Sequence, residues 1–541
     1  MSHAAQLELR LTPLTPIHVG AGEDFDPTGY VIDDGVLFHF DPAKVPLDAA
    51  DRKSLLAAVN MRGDEAILAV QRFFHQRRDA CAGVAHHVVP VAAGVAKQYE
   101  SRIGQVAQRE VGGGRVANRL EIERTSHHPH TGAAYLPGTS LKGAMRTAWL
   151  NQVNRGQGRI GDERAQDLEK RLLQGSFHTD PFRLLLVGDA QGPDVVSQVV
   201  FSTNHKKREV IRAGTEMVGR GPVARREVIA PAQLHAMSCH LRIGNLDRHV
   251  DQFTPNPAAR IAGWDALAKA CNAYYWPRLQ SDLALLDERR LVSEDWLKGV
   301  TALMQALAPS LDAGHAMLLR VGRHSGAESV TLDGVRRIRI MKGPGQDPDW
   351  SDVGATTVWL AAEREGDRSD MLPFGWLLVT VGTDVPPGLQ SWCDAQPKPR
   401  LGAVRARLQA AREAAREAAE KLAADKAAEI QRQAEAARAQ AERDAQLQSL
   451  TEQGRLVEAL RQRLLAHPGG KQPVSGQLYQ ELRKLITQAE APAQPPDQPG
   501  WPMPDRKTLA EMLRTLVPQK IELGGKAKDI KQAAARLSGD A

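Results

Sequence analysis

Residues 6–22 read QLELRLTPLTPIHVGAG, and the parsing of the whole chain starts from this stretch. Gln6, Glu8 and Arg10 alternate with Leu7, Leu9 and Leu11, the period-two pattern of a strand buried on one face. A Thr- and Pro-rich turn follows, and then Ile17-His18-Val19-Gly20-Ala21-Gly22. A glycine pair just after a strand lets another backbone, of protein or of nucleic acid, approach closely. The same residues also suit a tight structural turn capped by His18, and short glycine motifs do not separate the two readings.

Moving outward, residues 30–33 and 36–40 are apolar runs flanking Asp34-Gly35, a two-residue hairpin signal. Residues 64–78 carry helical periodicity. Residues 92–129 lack it, contain Gly112-Gly113-Gly114, and are expected to form a long mobile excursion. A helix is expected over 136–153. Beyond it, short strands (184–187, 199–202, 239–243, 317–321, 356–360, 376–381) are interspersed with helices over 264–274 and 295–307. That mixture predicts an α+β fold rather than a regular βαβ repeat.

The character changes after residue 399. Residues 401–466 are rich in Ala, Arg, Glu and Gln, contain no proline, and predict a long helix or helical hairpin broken near Gly454. Nine Lys/Arg against eight Asp/Glu over 401–450 describe a solvated face laced with i,i+4 pairs. Leu408, Leu422 and Ile430 are too sparse for a coiled-coil seam. The expected divisions are therefore 1–190 and 191–399 as two α+β modules, 400–490 as the charged helical segment, 491–504 as a Pro-rich linker, and 505–541 as a small helical tail.

The 541 residues carry 70 Lys and Arg against 64 Asp and Glu, a mild basic bias that favours a polyanionic partner. Cys81, Cys239, Cys271 and Cys393 are widely separated, which argues against a disulfide scaffold and a thiolate zinc site and suits a reducing cytoplasm. No run of eighteen apolar residues occurs, so no membrane span is expected. Walker A, Rossmann and serine-elbow patterns are absent.

Three further constellations carry possible chemistry. In YLPGTSLKGAMRT, residues 135–147, Pro137 and Gly138 punctuate a turn, and Thr139 or Ser140 can cap a helix. The positive end of such a helix suits a phosphate, with Lys142 and Arg146 sharing one face. Residues 201–226 hold seven Lys/Arg, including Lys206, Lys207, Arg208, Arg225 and Arg226, against two Glu, as a groove tracking RNA requires. Leu318-Leu319-Arg320-Val321-Gly322-Arg323-His324-Ser325-Gly326 runs from a strand into a Gly- and Arg-bearing loop and is echoed by Pro373-Phe374-Gly375-Trp376. His127, His128 and His130 invite a metal, but no carboxylate pair or cysteine accompanies them, and a loop histidine cluster is the expectation.

TPIHVGAGE (15–23), YLPGTSLKGAMRTA (135–148), DPFRLLLVGDA (180–190), LLRVGRHSG (318–326) and PFGW (373–376) together resemble the RAMP superfamily of CRISPR proteins. Their order and spacing are most similar to the fifth Csm subunit of type III-A effector complexes. The resemblance spans about residues 7–381, roughly 70% of the chain. It implies ferredoxin-like (RRM-like) RAMP modules with insertions, followed by a helical C-terminal extension outside the family pattern. It also implies no nuclease or polymerase site, hence no catalytic residue, metal or cofactor. The implied role is a cytoplasmic crRNA-binding subunit that caps the 3′ end of a defence complex. Its expected partners are crRNA, a neighbouring RAMP backbone subunit and a small helical subunit, with no membrane.

The resemblance places a guide-RNA role on His18, Gly20, Gly22, Gly138, Ser140, Lys142, Arg146, Gly322 and Arg323. Arg225 and Arg226 join them on charge alone. The 322–326 loop departs from the family by carrying Arg323-His324 where small or aromatic residues are common. The alternatives are a metal-independent repeat endoribonuclease using His18, a type III-B subunit of the same superfamily, and a scaffold working through its C-terminal helices. For the nuclease, no second acid or base stands at an obvious spacing from His18.

Overall fold

The computed structural model describes residues 6–109, 115–117, 120–173, 180–209, 211–212, 215–216, 223–244, 260–342, 345–398, 401–467, 469–492 and 500–540. The opening strand, Gln6–Pro13, lies at the centre of a five-stranded sheet. It pairs antiparallel with Met237–Ile243 on one side and Trp376–Val381 on the other, so Leu9 faces both Cys239 and Val381. Leu185–Val187 and Ala316–Arg320 form the two edges. Leu9 and Leu11 are fully buried, as the alternation predicts.

A second sheet has six strands, in the order Leu372–Pro373, Thr357–Ala362, Ser197–Lys206, Ala224–Ile229, Ile122–Thr125 and Gly20–Phe25. All its pairings are antiparallel except that between Ala224–Ile229 and Ile122–Thr125. One apolar core spans both sheets and takes in Leu11, Ile17, Phe201, Ile229, Leu319 and Trp376. Each sheet draws strands from both sides of residue 190, so the expected boundary at 190/191 would cut through both. The chain returns to complete both sheets after long intervals, and sequence-local composition does not reveal that return.

Local signals translated well. Tyr30–Asp33 and Val36–His39 form the expected hairpin, with φ of 47° at Asp34 and 73° at Gly35 and Asp33 paired with Val36. Positive φ at both turn residues is what an Asp-Gly type I′ turn provides. The helix expected over 264–274 extends as Trp264–Glu288 through Pro277, because burial of Leu279 and Leu286 offsets the missing N–H. The excursion expected over 92–129 is corrected: it contains a helix, Ala93–Arg102, with Val95 and Tyr99 buried, and the sheet strand Ile122–Thr125. Gly112-Gly113-Gly114 lies outside the described residues.

The chain divides into two compact units, Met1–Ala419 and Glu420–Ala541. A helix, Leu401–Ser449, begins in the first unit, where Val404 and Ala411 pack into a cluster with Val31, Phe38 and Phe73. The break expected near Gly454 occurs at Thr451, whose hydroxyl accepts the Gly454 N–H and caps the next helix, Glu452–Ala466. In the second unit Val457, Leu460, Leu482, Leu509, Leu513 and Leu537 share one core. The helices expected as a separate tail therefore pack with those of residues 452–490. No helix among the described residues is long and apolar enough to cross a membrane.

Candidate nucleic-acid interface

Three glycine-bearing segments that are far apart in sequence meet at one junction. The Arg323 N–H donates to the His18 carbonyl at 2.8 Å, and the Gly375 N–H donates to the Pro16 carbonyl at 2.9 Å. The Trp376 N–H donates to Thr15 Oγ1 at 2.9 Å. Gly322, at φ 82°, and Gly375, at φ 95°, are required there: a β-carbon on either would overlap the carbonyl of His18 or Val321 respectively. Residues 15–19, 321–323 and 373–376 thus lock together. Gly20 to Asp24 run out from this junction as an exposed edge strand, beside the exposed side chain of Arg323.

Beneath the junction, the Glu123 carboxylate stands beside three of the candidates, His18, Arg226 and Arg323. His18 is fully buried, and its Nδ1–H donates to the Glu227 carbonyl at 2.7 Å. Its Nε2 has no hydrogen-bond partner and lies 3.8 Å from Glu123 Oε2. Burial, with Arg226 and Arg323 adding to it, pushes the imidazole down to about 4, so the ring is neutral near pH 7. The expectation that His18 meets RNA is corrected: an uncharged side chain sealed in the core orders the loop instead. Gly20 sits over it, where a β-carbon would stand 3.5 Å from His18 Nε2.

Arg226, placed on the RNA side by charge alone, is also corrected. Its guanidinium is buried, pairs with Glu123, and donates through Nε to Ser202 Oγ at 3.0 Å. Burial and the nearby Arg323 push it down to about 10. Arg225, one residue earlier and therefore on the opposite face of the strand, is half-buried and bound to Gln98 Oε1 at 2.6 Å and the Glu121 carbonyl at 3.2 Å. The basic run is thus split between two faces of a sheet. Arg323 shares Glu123 at 2.8 Å but keeps more than half its side chain exposed.

The next residue, Glu227, is a fully buried carboxylate. It accepts from Ser197 Oγ at 2.7 Å and the Thr125 N–H at 3.3 Å, with His87 Nε2 at 3.5 Å and Arg124 Nε at 3.8 Å. Burial alone would raise it; His87, Ser197 and Arg124 outweigh burial and hold it below the usual range.

The second motif opens the helix Gly138–Asn154, two residues after the expected start and with Pro137, not Thr139 or Ser140, at its cap. Its first amide is already taken: the Gly138 N–H donates to Asp189 Oδ1 at 2.7 Å. A protein carboxylate therefore stands where a phosphate was expected. Gly138 is buried, and a β-carbon would strike the Val187 carbonyl. Arg146 is committed to Asp180 at 2.7 Å and Glu169 at 2.9 Å. Ser140 is half-buried, its N–H donating to the Pro137 carbonyl at 2.9 Å. Lys142 remains: it lines an open cavity of about 450 Å³ with Thr139, Gly188, His240 and Arg242. Burial lowers its ammonium below the ordinary value, a pull that Asp180 opposes. His240 and Arg242, which sequence reasoning passed over, are on the outward face of Met237–Ile243; the alternation M-S-C-H-L-R-I contains that signal.

His127 lies 3.4 Å from Glu23 and bonds the Thr125 carbonyl at 3.0 Å, while His128 and His130 face one another. Among the described residues no three His, Cys, Asp or Glu side chains are grouped to hold a metal ion. All four cysteines are buried thiols.

The family model of the RAMP superfamily matches residues 10–251, a span that takes in the first two motifs and both central strands of the six-stranded sheet. Residues 10–251 are thus similar to the RAMP superfamily. Among solved structures, the crystal structure of T. onnurineus Csm5 is similar with a TM-score of 0.37 and 16% identity, covering 69% of this chain and 99% of that one. A chain from a cryo-EM structure of a Csm–crRNA–target RNA ternary complex of a type III-A CRISPR-Cas system is similar with a TM-score of 0.40 and 15% identity, covering 70% and 100%. No curated protein matches.

Proposed function

We propose that this chain is a non-catalytic, crRNA-binding subunit of a type III-A CRISPR effector complex, seated at the end that holds the guide's 3′ region. The observation that carries the reading is the junction of residues 15–19, 321–323 and 373–376 inside and beside the region similar to the RAMP superfamily. Its rim offers an edge strand starting Gly20-Ala21-Gly22, nearly bare of side chains, beside Arg323, which suits a ribose-phosphate chain. Lys142 and Arg242 supply a second cationic spot.

The five-stranded sheet supports the finer fold assignment. Taking strand Gln6–Pro13, helix Gly138–Asn154, strands Leu185–Val187 and Met237–Ile243, helix Trp264–Glu288 and strand Trp376–Val381 in chain order gives βαββαβ. Their spatial order is fourth, first, third, second, with Ala316–Arg320 added at the edge, and we read this as a ferredoxin-like module. The non-catalytic part rests on His18: a buried neutral ring with one nitrogen bonded to a backbone carbonyl does not reach a substrate hydroxyl. A neighbouring RAMP subunit, small helical subunits and a cytoplasmic setting belong to the same proposal.

The test is expression of the tagged chain together with the other subunits of a type III-A complex and a crRNA. Co-elution with short RNA and those subunits, and intact labelled repeat RNA after incubation with Mg²⁺ or EDTA, are expected. A chain that elutes without RNA or subunits, or repeat cleavage lost in His18→Ala, overturns the reading.

A further inference from the structure

A cleft of about 960 Å³ opens in the first unit between the end of strand Ser197–Lys206, the helix Trp264–Glu288 and residues 328–336 and 351–357. Six cationic side chains line it: Lys206, Lys207, Arg208, Arg278, Arg320 and Arg336. Among the described residues three carboxylates face them, Asp282, Glu328 and Asp333, a surplus of three positive charges.

The carboxylates fix the floor rather than fill the cleft. Glu328 takes Lys207 at 2.6 Å, Asp282 takes the buried Arg320 at 2.7 Å, and Asp333 takes Arg278 at 2.7 Å and Arg336 at 2.8 Å. Arg278 is further held flat over the Tyr274 ring at 3.5 Å. Lys206, half-buried, and Arg208, exposed, have no carboxylate partner among the described residues. Two cations without carboxylate partners beside four that are held in place suit an anion larger than a single carboxylate.

Among the described residues the lining contains Ser281, Ser351, Thr356 and Thr357 and no aromatic ring, so it offers charge and hydroxyls to a backbone and no stacking face to a base. The cleft also adjoins the glycine junction. Arg320, on its floor, donates to the Phe374 carbonyl at 3.0 Å, and Arg323 and Glu328 belong to one short segment that faces the junction at one end and the cleft at the other.

We propose that this cleft binds the phosphodiester backbone of single-stranded RNA independently of sequence, as a second contact site beyond the glycine junction. The inference rests on the RNA-binding reading above.

The test measures binding of the full chain to a labelled single-stranded RNA of mixed sequence and to a homopolymer, over a series of salt concentrations. Lys206→Ala/Arg208→Ala is compared with wild type, the unfolding midpoint serving as a check on folding. Affinity is expected to fall about tenfold or more for both RNAs, and the slope of log K against log salt to shrink by about 1.4, two single-strand phosphate contacts. Wild-type affinity and slope in a folded double variant overturn the cleft while leaving the functional reading intact. Retained RNA binding with loss of a protein subunit from the purified complex assigns the cleft to an acidic protein surface and also overturns it. Failure of the wild-type chain to bind RNA, alone or in the complex, removes both.

Discussion

The α-carbon of Gly322 packs against the His18 carbonyl so closely that a β-carbon would overlap it, and the neighbouring Arg323 N–H donates to that same oxygen at 2.8 Å. A loop from residue 322 is thus clamped to a loop from residue 18 by one hydrogen bond and one missing side chain.

Gly322→Ala combines a left-handed backbone, φ 82°, with a steric overlap. The conformation alone costs about 1–2 kcal/mol for an L-residue, and the overlap adds to it. Gly22→Ala has the same kind of φ, 77°, but open space around it. Urea midpoints are expected to fall more for Gly322→Ala than for Gly22→Ala; equal losses would show that the close approach contributes nothing.

Acid sensitivity follows from His18. Its folded pKa, about 4, lies below the ordinary 6.5, so between these values the unfolded chain binds a proton that the folded chain refuses. Stability from this group is complete above pH 6.5, declines as pH falls through the window, and levels off below 4. The full difference is about 3 kcal/mol by the usual conversion. His39 and His324, each pushed down to about 3 by burial, act in the same direction. Denaturant unfolding at pH 7.5 and pH 5 is expected to show lower stability at pH 5, by a smaller margin in His18→Gln.

Lys142 and Arg146 are expected to behave differently although they are four residues apart. Lys142→Glu places a negative charge in the cavity with Arg242 and is expected to weaken RNA retention with little change in unfolding midpoint. Arg146→Glu sets a carboxylate against Asp180 and Glu169 and is expected to lower the midpoint. Parallel RNA-binding and melting measurements separate the two; a stability loss confined to Lys142→Glu would reverse the assignment.

The unit of residues 420–541 has its own core around Val457, Leu482, Leu509 and Leu537. Expressed alone, this segment is expected to show helical circular dichroism and a cooperative thermal transition. A chain ending at Ala419 is expected to keep RNA affinity. Non-cooperative melting of the isolated segment would contradict an independent core.

Much of the fold was legible where the signal is local. The alternation of residues 6–11 and the Asp34-Gly35 turn name their structures through backbone geometry, and Thr451 with Gly454 marks a helix restart. The motifs behind the resemblance meet in space, which their order in the chain does not show: Gly322 and Gly375 lie where the protein's own backbones touch. The charges misled because a sequence shows a cation but not its partner. Glu123, Asp189 and Asp180, 103, 51 and 34 positions from the groups they bind, neutralise Arg226, cap Gly138 and hold Arg146. Alternation along Met237–Ile243 did carry the outward positions of His240 and Arg242, and reading it by face rather than by hydrophobicity finds them.

Glu227 gives the six-stranded sheet a single workable alignment. Its carboxylate accepts from Ser197 on one neighbouring strand and from Thr125 on the other, so the strand between them is pinned from both flanks. Sliding that strand by one residue would exchange its faces, taking Glu227 away from Ser197 and Thr125 and onto the face that carries Glu123. The parallel pair at this point, which no hairpin enforces, is therefore kept in step by electrostatics.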